Sequence, residues 1–274
     1  MRVDELLPGW RTDCILHRFD AELVERDDCL VVRTPASPNY YWGNCLLLPQ
    51  APRDGELDHW LARFHEEISA RQPGSRHVAI GINAAPAGEL LLAWTAAGFD
   101  RNLMTLLQLD PGRLIAPRKP PRGDVEVRPI HFETEMELVL EQQAADTDGY
   151  EPVGHALFRR QQMERCAAMA RAGMGQWFGA WCDGVLAADC GLMRDGTVGR
   201  FQHVETHPAW RRRGLCSALV HGVSAWGFEH WGLQRLHMGA DPEDVALAIY
   251  ESLGYRRIGA EWSLQRRAPQ DTLR

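Results

Sequence analysis

Residues 111–123 interrupt the middle of this sequence with proline, glycine and charged side chains and show no apolar periodicity. Such a composition is typical of a segment between domains. The chain has 274 residues, of which 45% are apolar, so it is longer than a usual single domain and can bury more than one core. We therefore predict two domains, residues 1–116 and 124–274, joined by a linker at 117–123.

Composition excludes several classes of function. The formal charge is −7, and only residues 211–213 are conspicuously basic, which argues against nucleic-acid binding. The seven cysteines are scattered and never form the close pairs of zinc or redox sites, so we expect buried thiols and no metal. The first ten residues lack the features of a signal peptide, and no apolar run reaches the roughly 20 residues of a membrane span. We expect a cytoplasmic protein without a membrane partner.

The second half shows a clear order of elements. Residues 125–130 alternate like a strand, a helical pattern follows from Thr134, and a meander of strands turns at Asp183-Gly184, a strong hairpin signal. A helix from Gly214, a short strand from Arg235 and a second helix end the pattern. This order predicts an α/β (α+β) domain with a mixed sheet.

The segment 206–219 favours an anion. A strand ends, three arginines follow, and Gly214 opens a helix whose first N–H groups have no partner within the helix. A solvated charge run that happens to precede a helix is the alternative interpretation.

Two motifs here resemble those of the GNAT acetyltransferase superfamily. Arg211-x-x-Gly214-x-Cys216 is similar to its pyrophosphate-binding motif A, although Cys216 stands where the family has glycine or alanine. Residues 246–255, which contain Tyr250 and end in Gly254-Tyr255, are similar to motif B. The pair is more specific than either motif alone, and the resemblance covers about residues 124–267.

The resemblance implies a mostly antiparallel sheet flanked by helices, acetyl-CoA as cofactor, and direct transfer of an acyl group to an amine. Tyr250 would protonate the departing thiolate, whereas without the resemblance it would be a core tyrosine. The implied cofactor-binding residues lie on the strand before motif A and in the motif itself: Val204, Thr206, Arg211, Arg212, Arg213, Gly214, Leu215, Cys216 and Ser217.

The base is one of three polar residues on the strand before motif A: Gln202, His203 or Glu205. Strand alternation puts Gln202 on the face opposite the other two, but this strand often bulges in the family, so alternation cannot choose among them. Each of His203 and Glu205 could instead simply face solvent or the neighbouring strand. The resemblance also places Tyr150, Glu151 and His155 in a loop beside the acceptor pocket, where they would contact the acceptor or lie on an ordinary surface loop.

The first half of the chain resembles a degenerate copy of the second half. A strand near Leu46, a helix from Leu57 and a strand from His77 precede the segment 90–99, in which Trp94 falls where Tyr250 falls and Gly98-Phe99 matches Gly254-Tyr255. The intervening residues 49–56 lack Arg-x-x-Gly and place acids at the helix start, which repels pyrophosphate. We predict a tandem GNAT-like chain with a degenerate first copy; an unrelated α/β domain is the alternative.

The predicted function is an acetyl-CoA-dependent N-acetyltransferase that acts on a small amine or a protein amino group. A non-catalytic acyl-CoA-binding regulatory module is the alternative, because a fold and a cofactor site persist where chemistry has been lost. A homodimer is left open.

Overall fold

The computed structural model describes residues 1–85, 91–147 and 149–268. They form two compact units. The first comprises residues 1–105 together with the described residues from Gly259 onward, and the second comprises residues 106–258. The sequence instead predicted a division at 117–123. The predicted linker thus belongs to the second unit, and the described residues from Gly259 onward belong to the first.

The strands are β1 (Glu22–Glu25), β2 (Leu30–Arg33), β3 (Cys45–Leu48), β4 (Val78–Ile82), β5 (Asp100–Leu109), β6 (Val125–Pro129), β7 (Gly175–Cys182), β8 (Val185–Asp195), β9 (Val198–Thr206), β10 (Arg235–Ala240) and β11 (Arg256–Arg266). The helices are α1 (Pro8–Asp20), α2 (Leu57–Phe64), α3 (Leu92–Ala96), α4 (Phe132–Gln143), α5 (Pro152–Arg171), α6 (Leu215–Trp231) and α7 (Val245–Ser252). A π-helical turn, His65–Ser69, continues α2. No helix among the described residues has the length and apolar character needed to cross a bilayer.

In the second unit the strand order is β5-β10-β9-β8-β7-β6. Strands β6 to β9 pair antiparallel, and β9 pairs parallel to β10. Helices α4 and α5 contact β8 and β7, and α6 contacts β6 to β9. Adjacent residues of β7 show that the two layers of helices cover opposite faces, because Phe178 packs its ring against Trp226 of α6 while Trp177 points away toward α4.

In the first unit the strand order is β1-β2-β3-β4-β11. Strands β1 to β3 pair antiparallel, β3 pairs parallel to β4, and β4 pairs antiparallel to β11. The predicted fold class, a mixed and mostly antiparallel sheet flanked by helices, is confirmed in both units. The predicted motif segment 90–99 forms α3 within its described part, whereas Leu90 lies outside the described residues.

The two units repeat one order: parallel strand, helix, parallel strand, short helix, final strand. The final strands are exchanged between the copies. Strand β5 follows the first copy, but its Leu107 and Leu109 lie in the core of the second unit. Strand β11 follows the second copy, but its Trp262 and Leu264 lie in the core of the first unit. The exchange explains why the compact units do not follow the predicted boundary.

Every cysteine lies in the described part of the chain as a free thiol; six are buried and Cys216 is partly exposed. This agrees with the prediction of buried thiols. Within the described residues, no cluster of three or more His, Cys, Asp or Glu side chains is arranged to hold a metal ion.

Candidate active site

The start of α6 has the geometry of an anion site. Arg212 and Gly214 both have positive φ values, +65° and +84°, so the chain turns sharply before the helix begins at Leu215. No side chain caps the helix at Gly214. Among the described residues, no hydrogen bond joins the N–H groups of Leu215, Cys216 or Ser217 to a protein acceptor. Because the Leu215 side chain is buried in the core, only its backbone could meet a ligand.

The arginines beside this helix start are engaged with the turn. Arg211 Nη2 lies 2.7 Å from Asp146 Oδ2, and its Nε donates to the Thr206 carbonyl at 3.1 Å. The Arg213 guanidinium stacks over the Trp210 ring at 4.5 Å. Two of the three predicted phosphate-binding arginines, Arg211 and Arg213, therefore hold the turn before α6 in this structure. Their side chains would have to leave these partners to contact a phosphate.

Residues 111–123, which include the predicted linker at 117–123, contact both motifs. Ile115 N donates to the Leu253 carbonyl at the end of α7, and Arg122 N donates to the Arg213 carbonyl before α6. A Cβ placed on Gly214 would lie 3.2 Å from Pro121 Cα. The segment thus runs as an ordered strap from motif B to motif A rather than as a free linker.

The parallel strands β9 and β10 separate toward the end that meets α6. Their register pairs Val198 with Arg235 and ends with Arg200 and His237, although β9 continues for another six residues and β10 for three. Backbone N–H and C=O groups of both strands, including those of Val204 and Thr206, therefore border an opening in the sheet. An opening of this kind can accept an extended chain by main-chain hydrogen bonds.

A β-bulge on β9 gathers the predicted bases. Glu205 pairs with Asp189 and Gln202 pairs with Gly191, so β9 has one residue more than β8 between these pairs. His203 lies in the bulge with φ +46°, a left-handed conformation that a non-glycine residue rarely adopts. The simple alternation that set Gln202 apart is corrected by this bulge, since Gln202 and Glu205 face the same side of the sheet.

His203 and Glu205 form a close pair. The His203 Nε2 atom lies 2.6 Å from Glu205 Oε2, and both side chains are mostly buried, with 25% and 13% of their surface exposed. A short hydrogen bond between imidazole and carboxylate orients the ring and supports a positive charge on it. This pair can accept a proton.

Behind Glu205 lies a polar network that the sequence reasoning missed. Asp189 Oδ1 accepts hydrogen bonds from Gln143 Nε2 at 2.7 Å and from Trp177 Nε1 at 2.8 Å. Gln143 Oε1 in turn accepts from Arg159 Nε at 2.9 Å. Burial raises the pKa of the Asp189 carboxyl to about 7 although the two donors oppose the shift. The sequence signal that could have revealed it is the single acid within the otherwise apolar run 185–193.

Tyr250 comes from α7 on the other face of the sheet and is 4% exposed. It lies in the same core as Cys190 and beside the thiol of Cys216. Burial holds the pKa of the Tyr250 phenol well above its usual value, with further contributions from both cysteines, and burial raises the pKa of the Cys216 thiol to about 12. Tyr250 thus remains protonated, and the structure brings together the two positions that motifs A and B singled out.

The three residues expected at the acceptor pocket lie at the start of α5. Glu151 caps this helix, because its carboxylate accepts from Val153 N at 2.9 Å and Gly154 N at 2.7 Å, and these bonds lower its pKa. The rings of Tyr150 and His155 stack with centroids 6.2 Å apart. Glu151 therefore stabilises the N-terminus of α5, and the two stacked rings lie beside the first turn of that helix.

Comparison with known proteins identifies the domain that contains this site. Residues 128–255 match the model of the acetyltransferase (GNAT) family. These residues are a GNAT acetyltransferase domain. Both motifs, the β9 bulge and Tyr250 lie inside the matched range. No curated protein matches the sequence.

Solved structures share the fold of the GNAT domain and of the chain around it. A conserved protein of unknown function from Staphylococcus epidermidis ATCC 12228 superposes with a TM-score of 0.73 at 14% identity, over 91% of this chain and 95% of that one. A GCN5-related N-acetyltransferase from Kribbella flavida gives 0.61 at 18% identity over 94% of each chain. A tandem GNAT protein from the clavulanic acid biosynthesis pathway gives 0.54 at 15% identity, over 81% of this chain and 73% of that one. The tandem GNAT fold predicted from the sequence is confirmed.

Proposed function

We propose that this protein transfers an acetyl or other short acyl group from acetyl-CoA to a primary amine, either of a small molecule or of a protein. Family membership of the GNAT domain supports acyl transfer in general. The observation that carries the finer proposal is the opening between β9 and β10, because it joins the Glu205–His203 pair on one face of the sheet to Tyr250 on the other.

The residues around the opening fit the chemistry of CoA. The N–H groups of Leu215, Cys216 and Ser217 and the positive end of the α6 dipole would hold the pyrophosphate. Gly214 provides the positive φ of the turn that exposes these N–H groups, and Arg212 adds positive charge. The backbone of β9 at Val204 and Thr206, which lies beyond the last residue that β9 pairs with β10, would hold the extended arm. When bound, acetyl-CoA would supply an acyl group activated as a thioester.

The side chains divide the proton transfers. A neutral amine must lose a proton as it forms an amide, and the Glu205–His203 pair, with a neutral ring before the transfer, would take up that proton and hold it as an imidazolium–carboxylate ion pair. Tyr250 Oη carries a proton at every physiological pH because burial raises its pKa, so it can donate to sulfur as the thiol departs. Acid and base therefore lie on opposite sides of the opening.

A non-catalytic acyl-CoA-binding module is the alternative. The observations in its favour are Cys216 at the position of a smaller residue in motif A and the engagement of Arg211 with Asp146. The two functions differ in turnover rather than in binding.

A thiol-release assay on the full chain distinguishes them. We expect free CoA thiol to appear from acetyl-CoA in the presence of at least one member of a panel of polyamines, amino sugars, amino acids and lysine-containing peptides. His203→Gln should reduce the rate by about 100-fold. Binding of acetyl-CoA without thiol release on any acceptor would favour the regulatory module.

A further inference from the structure

Asp189 is a fully buried carboxyl with donors supplied by two other elements. Gln143 reaches it from α4 and Trp177 reaches it from β7. In the amide orientation that satisfies both ends of Gln142, this second glutamine of α4 donates to the other oxygen, Asp189 Oδ2. Arg159 of α5 holds Gln143 from behind. A buried acid is stable only when such partners surround it, so this carboxyl has a built environment.

The carboxyl is also coupled to the β9 bulge. Asp189 and Glu205 are directly opposite each other in the β8–β9 ladder, and side chains in this relation have Cβ atoms about 5 Å apart on the same face. Glu205 in turn holds His203 at 2.6 Å. A continuous series of polar side chains thus leads from Arg159 through Gln143 and Asp189 to the proposed proton acceptor.

We propose that Asp189 is a positioning residue that acts through Glu205 and sets the charge and the proton affinity of the Glu205–His203 pair. Its role rests on the function proposed above, because a proton acceptor works only at a pH where it is free to take the proton.

The charges around Asp189 give the direction of this effect. The charged groups that act on it are Glu205 from β9 and Arg159 from α5, while the donors from α4 and β7 are neutral. Two carboxylates opposite each other repel, so one of them retains a proton more readily. Burial and the neighbouring Glu205 favour the proton on Asp189, whose pKa lies near 7. Where Asp189 retains its proton, the negative charge of this pair of carboxyls therefore lies on Glu205, beside His203.

As pH rises and Asp189 ionises, a second negative charge appears behind Glu205. This charge increases the proton affinity of the Glu205–His203 pair and delays its deprotonation. Removal of the carboxyl should therefore let the pair lose its proton at lower pH.

The test is an NMR titration of the His203 ring in the full chain, which has 11 histidines. The signal is assigned by its loss in His203→Gln. In Asp189→Asn, which keeps an acceptor for Trp177 and Gln143, we expect the His203 midpoint to fall by about one pH unit. Asp195→Asn removes a carboxyl at the far end of the same strand and should leave the midpoint unchanged.

A second variant retains the carboxyl. Gln143→Leu removes a donor that favours ionised Asp189, so it should lower the His203 midpoint by a smaller amount. A His203 midpoint equal to that of the wild type in folded Asp189→Asn or in folded Gln143→Leu would overturn the proposal and leave Asp189 a purely structural residue. The titration does not depend on turnover. If the wild type released no thiol, the proposed function would be contradicted, and the titration would still decide the role of Asp189.

Discussion

The two copies of the fold differ most where their parallel strands meet the following helix. In the second unit, the pairing of β9 with β10 ends after Arg200, which leaves an opening in the sheet. In the first unit, β3 and β4 stay paired to their ends, with Leu48 opposite Ile82 and a further hydrogen bond from Asn83 N to the Leu48 carbonyl. The first copy therefore has no gap for an extended ligand, although it keeps the order of elements.

The helix starts differ in the same sense. In the second unit a glycine with positive φ opens α6 and leaves its first N–H groups exposed to a ligand. In the first unit, the residues that stand in place of motif A include acids whose carboxylates accept backbone hydrogen bonds. Glu56 accepts from Arg53 N at 2.9 Å, and Asp54 accepts from Leu92 N and Ala93 N at the start of α3. No side chain caps the start of α2 either, but the acids before it add negative charge at this helix start, which repels an anionic ligand.

Trp94 and Tyr250 occupy equivalent places and do different work. Trp94 is fully buried, donates from Nε1 to the Arg53 carbonyl at 3.2 Å and packs against Phe99 with ring centroids 5.0 Å apart. Tyr250 keeps a hydroxyl beside Cys216 in the core next to the opening. The two positions therefore differ in that Trp94 packs within the core of the first unit, whereas Tyr250 carries a hydroxyl beside a thiol.

The largest expected effect is that of Gly214→Glu on cofactor binding. The substitution adds a carboxylate at the anion site, requires a non-glycine residue at φ +84° and places a Cβ 3.2 Å from Pro121 Cα. We expect affinity for acetyl-CoA to fall by at least about 100-fold, which is about 2.7 kcal/mol.

Gly55→Glu is the matched control for this change. Gly55 lies in the corresponding loop of the first unit with open space around its Cα. Calorimetry should show unchanged binding in this control, and circular dichroism should show that both variants are folded. Full affinity in Gly214→Glu would move the pyrophosphate away from α6.

Next in size is the effect of Tyr250→Phe on turnover. Loss of the general acid should slow thiol release by about 100-fold and leave acetyl-CoA affinity within a few fold of the wild type. Trp94→Phe is the equivalent change in the first unit; it should reduce the free energy of unfolding by about 1–3 kcal/mol and leave turnover unchanged. Equal rates in Tyr250→Phe and the wild type would remove the acid role and make the two positions alike.

A smaller effect distinguishes the buried acid of the second unit by its pH dependence. The pKa of Asp189 is raised from 3.8 to about 7 on folding, so its contribution to stability is fully present below about pH 4 and is lost as pH rises toward 7. The free energy of unfolding of Asp189→Asn, measured with urea, should therefore rise relative to that of the wild type by a few kcal/mol across this range. A constant difference between the two proteins from pH 4 to 7 would contradict the raised pKa.

The sequence predicted much of the second unit because its signals are local. Asp183-Gly184 adopts the positive φ values of a hairpin turn, the helix predicted from Gly214 begins at Leu215, and the strand predicted from Arg235 begins at that residue. The β9 bulge could not be predicted in detail, because His203 has no sequence feature that demands φ +46°. Its facing depends on pairing with β8.

Long-range pairing limited the rest. Strands β5 and β11 both mix apolar and polar residues at their buried ends, and this pattern does not specify a unit, so their exchange is visible only in the structure. The strap formed by residues 111–123 has the composition of a linker but is fixed by hydrogen bonds such as the one from Ile115 N to the Leu253 carbonyl. A local signal was missed at Glu151: the proline that follows it is typical of the first position of a helix, which makes Glu151 the capping residue.

The central claim is that the second unit alone binds acetyl-CoA. Calorimetric titration of the full wild-type chain with acetyl-CoA tests it most directly. We predict micromolar affinity with a stoichiometry of one ligand per chain, and the loss of this site in Gly214→Glu but not in Gly55→Glu. Two ligands per chain would contradict the difference between the copies, and no binding at all would contradict the site itself.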